Sequence, residues 1–258
     1  MAEDVEVEVL GPVRLLVGGR PVPVPGVRRR AVLAVLALAR GRAVTVDHLL
    51  DVAWPRARPG SGRPAVHNHV SRLRGHLGPA ARRLQTLDGA YRLTLEEDAL
   101  DAARARRLLR RARAGARADQ RGAVSDLREA LALWRGPALA DLQDVPAVAA
   151  ATVGLDRLRW EITELLVHTA LASGEVDGTT DLAAEAVEAD PLAEPGVRLL
   201  VETLAVTGRA ASALQTARDY RRRLAEEAGL AATGALDELE RAVAGGTLGP
   251  GRCPWCGR

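Results

Sequence analysis

The sequence predicts an α+β winged helix-turn-helix followed by an all-α domain of tetratricopeptide-like helices. Strand-like and helix-like segments mix only in the first 94 of its 258 residues, and helical periodicity then continues alone to residue 244. Gly174 and Gly208, each placed to open a turn between helices, are 34 residues apart, which is the tetratricopeptide period. We therefore expect two domains, residues 1–96 and 97–244, and a flexible tail, residues 245–258.

Three short strands are predicted first. Val5–Leu10 alternates valine with glutamate, and Val13–Val17 follows a Gly-Pro turn. Val22–Val24 is interrupted by proline, which places it at a sheet edge because proline cannot donate a hydrogen bond to a neighbouring strand.

Three helices and a hairpin complete the first domain. The helices are predicted at Val27–Arg40, Val46–Trp54 and Pro64–Leu77, and the hairpin at Leu84–Leu87 and Tyr91–Thr94 across an Asp-Gly-Ala turn. In a winged helix of this order, the third helix enters the DNA major groove and the hairpin is the wing. The first helix starts on three arginines, and positive charge is unfavourable at this end of the helix dipole. A nearby phosphate or solvent would each offset that cost.

The third predicted helix has two unlike faces. Its apolar face consists of Val66, Val70, Leu73 and Leu77. Its opposite face is small and polar, with Asn68, Ser71, Arg72 and Gly75. The flanks carry His67 with Arg74 on one side and His69 with His76 on the other. Such a helix suits a major groove, and the segment alone fits an ordinary amphipathic helix with solvated charges equally well.

Charge favours the groove interpretation. The first 94 residues carry 15 arginines against 7 acidic residues, a net charge of +8, whereas the rest of the chain carries −5. Arg72, nearest the middle of the polar face, is then predicted to read bases, and Arg74 to hold the DNA backbone. Asn68 and Ser71 are predicted to contact adenine or phosphate, and Arg92 in the wing to lie beside a minor groove or its phosphates.

Past residue 94 only helices are predicted. They are Asp101–Ala118, Arg121–Trp134, Val145–Ser173, Asp177–Ala189, Glu194–Thr207, Arg209–Ala228 and Ala235–Ala244. The tail holds both cysteines, Cys253 and Cys256, in a CPWC motif that is half a zinc site. An inert tail and a zinc ion shared between molecules are both open interpretations of this pair.

Five blocks of the sequence resemble the Streptomyces antibiotic regulatory protein (SARP) family. They are RRRAVLAVLALARGRAVTVDHLLDVAWP (28–55), HVSRLRGHLGP (69–79), GAYRLTL (89–95), LREALALWRGPALADL (127–142) and RRRLAEEAGLAATGALDELERAV (221–243). The resemblance implies a response-regulator-type winged helix and a bacterial transcriptional activation domain. It also implies activation of secondary-metabolite promoters through RNA polymerase and its primary sigma factor, with two protomers on direct repeats of double-stranded DNA.

The resemblance extends the set of candidate DNA-binding residues. The family's Val-Ser-Arg-Leu-Arg core stands here as Val70–Arg74, in the same helix as the candidate His67. The wing motif, here Ala-Tyr-Arg-Leu, adds Tyr91, and Trp54 matches a tryptophan whose edge approaches a phosphate in related winged helices. Asn68 replaces a usual aliphatic residue, which implies a different DNA sequence preference.

Several function classes are disfavoured by the sequence. It has no phosphate-binding loop, nucleophile elbow or His-Glu-x-x-His motif, so we expect neither an enzyme nor a cofactor. It has no signal peptide and no apolar run of about 18 residues, so we expect a cytoplasmic, nucleoid-associated protein that does not contact membranes. The alternative to an activator is a tetratricopeptide adaptor whose winged helix binds protein, which the charge of the first 94 residues disfavours.

Overall fold

A computed structural model describes residues 4–55, 60, 62–116 and 118–250, and it confirms the predicted fold class. The chain divides into two compact units. The first contains the residues up to Leu108 together with Glu129–Arg159, and the second contains Leu109–Arg128 and the residues from Trp160 onward.

The first unit opens with a three-stranded antiparallel sheet. Its strands are β1 (Val5–Glu8), β2 (Arg14–Val17) and β3 (Arg20–Val22), in that order. The third strand begins earlier than predicted because Arg20 pairs with Val17 directly across the Gly18–Gly19 turn. Both turn glycines have positive φ, 58° and 73°, which only glycine adopts without strain.

The winged helix follows in the predicted order. Its elements are α1 (Val27–Leu38), β4 (Val44–Thr45), α2 (Val46–Ala53), α3 (Arg63–Leu77), β5 (Leu84–Leu87) and β6 (Ala90–Leu93). The unpredicted strand β4 pairs with β6, with Val44 opposite Tyr91, so the wing forms a three-stranded sheet of order β4-β6-β5. Thr45 begins α2 as expected, since its hydroxyl accepts a hydrogen bond from the His48 N–H at 3.2 Å.

Residues beyond the wing complete the first unit by bonding to the end of β1. The Val7 N–H donates to the Ala99 carbonyl at 2.8 Å, and the Leu139 N–H donates to the Val9 carbonyl at 3.0 Å. The carboxylate of Asp101 accepts from the N–H groups of both Val9 and Leu10. The domain boundary after residue 96 stays a prediction, and the segments 97–108 and 129–159 pack in the same compact unit as the winged helix.

Helices dominate the remainder of the chain. They are α4 (Asp101–Gly115), α5 (Gln120–Leu131), α6 (Ala149–Ser173), α7 (Thr179–Ala189), α8 (Glu194–Val206), α9 (Ala210–Ala228) and α10 (Gly234–Ala244). Gly174 and Gly208 follow α6 and α8 with φ of 81° and 84°, as expected for residues that open turns between helices. Ala213 and Ala217 of α9 are fully buried in the core of the second unit. Leu248, at the start of the predicted tail, is buried in that core as well.

Replacing Leu73 should destabilise the protein. Leu73 is fully buried in the centre of α3, so Leu73→Ala removes packed methyl groups and leaves a cavity. We expect the free energy of unfolding to fall by about 2–5 kcal/mol in urea denaturation. Ser71→Ala, at an exposed position of the same helix, should change it by less than about 0.5 kcal/mol. Equal midpoints for Leu73→Ala and the wild type would show that α3 packs through another face.

Candidate nucleic-acid interface

The two faces of α3 are oriented as the sequence predicts. Its apolar side chains are at most 1% exposed, and they are Val66, Val70, Leu73 and Leu77. Asn68, Ser71 and Arg72 are exposed on the opposite side. The buried face anchors the helix, and the exposed face is left for a partner.

Arg72 and Asn68 form a pair on the exposed face. The Arg72 Nε donates a hydrogen bond to the Asn68 Oδ1 at 3.1 Å, one helical turn away. This bond orients the plane of the guanidinium, whose Nη groups carry the donors that pair with guanine O6 and N7. Asn68, which departs from the usual family pattern, therefore acts on Arg72 as well as facing outward itself.

Arg74 joins α3 to the wing. Its Nε and Nη2 donate to the Leu84 carbonyl at 3.0 and 2.8 Å, and Nη2 also donates to the Thr86 hydroxyl at 2.7 Å. The guanidinium carbon lies 5.9 Å from the centre of the Tyr91 ring. These contacts hold the wing against α3. A phosphate contact by Arg74 stays a prediction.

Tyr91 lies beneath the surface of the interface. It is only 5% exposed, and its ring packs nearly perpendicular to the His67 ring with 6.0 Å between ring centres. Burial raises the pKa of the Tyr91 hydroxyl, and the nearby Arg74 partly offsets that shift. This burial disfavours a direct DNA contact by Tyr91, and the geometry makes it a support for His67 and Arg74.

Arg92 occupies the other face of the wing. It follows Tyr91 in β6, so its side chain projects from the opposite side of the strand, across from Gln85 of β5. Arg92 is half-buried, and its Nε has no hydrogen-bond partner among the described residues.

The second flank of α3 meets α1 and α2. The ring centres of Trp54 and His69 are 5.3 Å apart, and the Arg28 guanidinium carbon lies 5.5 Å from the Trp54 ring centre. Arg29 is only 8% exposed, and its Nη1 lies 3.4 Å from the His76 Nε2. Sequence analysis did not assign Arg28, Arg29 or His69 to the site, although the arginine run at the start of α1 was the available signal.

The histidines of this flank have lowered pKa values. Burial is the larger cause for His69, and the positive charges of Arg29, Arg28 and Arg72 add to it. Burial and Arg29 lower the pKa of His76 in the same way. Both shifts favour the neutral imidazoles, and an anion placed among these arginines would raise the pKa values again.

The remaining sequence features concern the cysteine pair, metal binding and membrane contact. The cysteines Cys253 and Cys256 fall outside the described residues. Within residues 4–55, 60, 62–116 and 118–250, no three histidine, cysteine or acidic side chains gather as a metal site. In the same part of the chain, no helix combines the length and apolar character needed to cross a membrane.

Two family models match the chain. Residues 25–93 match the family described as transcriptional regulatory protein, C terminal, which covers the helices and wing described above. Residues 100–244 match the bacterial transcriptional activator domain, which takes in more than half of the chain.

Curated relatives are transcriptional regulators longer than this chain. The regulatory protein AfsR of Streptomyces coelicolor is 35% identical over 91% of this chain and 24% of its own length. The transcriptional regulatory protein EmbR of Mycobacterium tuberculosis is 32% identical over 86% of this chain and 58% of its own. The transcriptional regulator RedD of S. coelicolor is 30% identical over 88% and 66%, respectively. This chain thus spans from about a quarter to two thirds of these relatives.

A solved structure shares the fold. M. tuberculosis EmbR, in complex with a low-affinity phosphopeptide, superposes with a TM-score of 0.87 at 27% identity, over 95% of this chain and 66% of that one. The helical activator-domain match and the identity to three named regulators agree with the blocks recognised in the sequence. The chain belongs to the SARP family of transcriptional regulators.

Proposed function

We propose that the chain is a sequence-specific DNA-binding transcriptional activator. The observation that carries this proposal is the exposed Asn68–Arg72 pair on a helix whose opposite face is completely buried. Burial fixes the helix axis, and the Asn68 Oδ1 fixes the plane of a guanidinium that suits bidentate pairing with guanine. A helix that merely exposed charges to solvent would gain nothing from this orientation.

The remaining candidates divide between bases and backbone. Asn68 and Ser71 stand beside Arg72 on the exposed face and are suited to base edges. Arg92, with its positive charge on the wing, and Trp54 are both half-buried and are suited to phosphates that flank the groove. The His67 ring, held by Tyr91, completes the wing side of the same surface.

The biological role follows from the family and from the charge of the two parts. SARP membership supports control of secondary-metabolite genes, acting at the nucleoid in the cytoplasm. Residues 95–258 have a net charge of −5 and are mostly helical where described, which suits a protein partner better than DNA. We propose that this part engages RNA polymerase with its primary sigma factor, and that two protomers occupy direct repeats.

Arg72→Ala tests the DNA-reading surface. A duplex selected by the full chain from a random library provides the specific site, and unselected duplexes provide the reference. We expect Arg72→Ala to lose about 1–3 kcal/mol of specific binding, about five- to 150-fold in Kd, with little change for unselected duplexes. Arg92→Ala should instead weaken all duplexes alike and make binding less sensitive to salt by about one phosphate contact.

A matched control separates recognition from net charge. Arg121→Ala removes the same charge from an exposed position of α5 and should leave specific binding within about twofold of wild type. Circular dichroism should be native for all three variants, because each side chain lies outside the buried core. Unchanged specific affinity for a folded Arg72→Ala protein, or failure of the wild type to select any sequence, would favour the adaptor alternative.

A further inference from the structure

A cavity of about 590 Å³ opens within the first unit, beside the second flank of α3. It lies between the start of α1, the end of α2 and the ring of His69. Its walls are mostly apolar and are formed by Pro25, Gly26, Val27, Arg28, Arg29, Val52, Ala53, Trp54, Pro55, His69 and Val145. Of the lining residues, only Trp54 has a proposed part in DNA binding, as a contact to backbone phosphate.

One end of the cavity is suited to an anion. The helix α1 starts there at Gly26, which has no side chain to cap the helix, and the first turn contains no acidic residue. The first N–H groups of a helix have no partner within it and carry the positive end of its dipole. Arg28 and Arg29 add two full positive charges at the same end.

Buried nitrogens without partners supply an independent sign of a ligand. Arg29 is more than nine-tenths buried, lines the cavity, and has an Nε with no hydrogen-bond partner among the described residues. The Nδ1 of His69, on the facing wall, is likewise buried without one. Buried polar atoms are almost always paired in folded proteins, so two unpaired nitrogens on residues that line one cavity indicate that a partner is missing near it.

The other end of the cavity is suited to an apolar or aromatic group. The Trp54 ring lies there, with the Arg28 guanidinium beside it. The Arg28 Nε donates a hydrogen bond to the Ala53 carbonyl at 3.1 Å, which holds Arg28 in this position. Val52 and Val145 line the same space and are almost fully buried themselves. The volume is in the range of small-molecule sites, about 300–1,000 Å³, and far exceeds the needs of a lone phosphate.

We propose that this cavity binds a small organic anion, with its phosphate or carboxylate at the start of α1 and its apolar body against Trp54. The acceptor oxygens satisfy Arg28, Arg29 and His69, and the ring or alkyl body covers the valine wall. The inference stands apart from the proposed DNA-reading role, because the site requires no nucleic acid. His69 places the ligand next to Asn68 on the same helix, so the occupant is adjacent to the reading surface.

Phenyl phosphate added to the 258-residue chain tests the site by NMR. Ring signals of His69, assigned with a His69→Asn variant, should shift on titration, and the pKa of His69 should rise because an anion opposes the effect of Arg29, Arg28 and Arg72. We expect inorganic phosphate to bind at least about tenfold more weakly, because it cannot cover the apolar wall.

Two variants test the geometry. Arg28→Gln removes one positive charge from the site. Val27→Glu places a carboxylate at the start of α1, at a half-exposed position. This carboxylate should occupy the anion site, and it should also stabilise the helix through the helix dipole. Each variant should bind phenyl phosphate at least about tenfold more weakly than the wild type. Val153→Glu, at a more exposed position of α6, should bind it as the wild type does. Absence of any His69 shift at about 10 mM phenyl phosphate, or equal binding by Val27→Glu, would overturn the proposal. Equal affinity for phenyl and inorganic phosphate, with displacement by duplex DNA of any sequence, would overturn it in favour of a backbone-phosphate contact.

Discussion

Asp101→Ala is expected to lower the free energy of unfolding by about 2–5 kcal/mol, because it removes the acceptor of three buried backbone N–H groups, those of Val9, Leu10 and Ala102. The carboxylate of Asp101 is 8% exposed and accepts from the Val9 N–H at 2.9 and 2.8 Å and from the Leu10 N–H at 2.9 Å. It also lies 3.7 Å from the Arg135 guanidinium, so the substitution removes one of the acidic partners of that arginine. Urea denaturation followed by circular dichroism measures the loss.

A neighbouring aspartate provides the control. Asp98 is exposed, and its carboxylate accepts a hydrogen bond from the Arg107 Nε at 2.7 Å at the protein surface. Asp98→Ala should therefore cost less than about 1 kcal/mol, although the chemical change is the same. If the two variants unfolded at the same urea concentration, the bonds from Asp101 to β1 would carry no net stability.

Local patterns were sufficient to predict the reading helix. The spacing of Val66, Val70, Leu73 and Leu77 places them on one side of any α-helix, whatever surrounds it, and all four are buried. The same periodicity assigned His67 with Arg74 and His69 with His76 to opposite flanks. The structure confirms this assignment, because the first pair contacts the wing and the second faces Trp54 and Arg29.

Contacts between distant segments were beyond sequence analysis. Strand β4 has only two residues, and it exists because β6, some 45 residues later, supplies its partner. Tyr91 was named as a DNA-binding candidate from a family motif, which carries no information on burial, and alternation along β6 turns it inward. The Arg74 side chain was assigned to the DNA backbone from its charge and its place on the flank of the helix, neither of which indicates the wing carbonyl that binds it.

Asp101 illustrates the same limit for contacts that cross the predicted boundary. The division at residue 96, which follows from the end of strand-like character near residue 94, stays a prediction, and the polar groups of Val9 and Leu10 have partners beyond it. Asp101, Arg135 and Leu139 supply them from segments 90 to 130 residues later in the chain. No periodicity or composition shift reports such a pairing.

A chain ending at residue 159 is expected to bind DNA yet fail to activate transcription. It keeps the whole first compact unit, including Asp101 and Arg135, and loses most of the second. A chain ending at residue 96 lacks these two residues and leaves the end of β1 unpaired, so its failure would report folding and not division of labour. We expect the longer chain to retain specific DNA binding within about tenfold, since the Asn68–Arg72 pair and the wing are intact, and to lose reporter activation.

Matched protein levels and circular dichroism are needed to interpret that experiment, because cutting α6 exposes part of its apolar surface. With the fold retained, full activation by residues 1–159 would place the polymerase contact in the first unit and contradict the assignment to the acidic helical part. Loss of DNA binding together with activation would instead mean that this part pairs protomers on direct repeats, since a lone protomer then makes only half of the phosphate contacts. Selection of single and repeated sites by the full chain distinguishes the two roles, because only pairing makes affinity depend on the spacing between repeats.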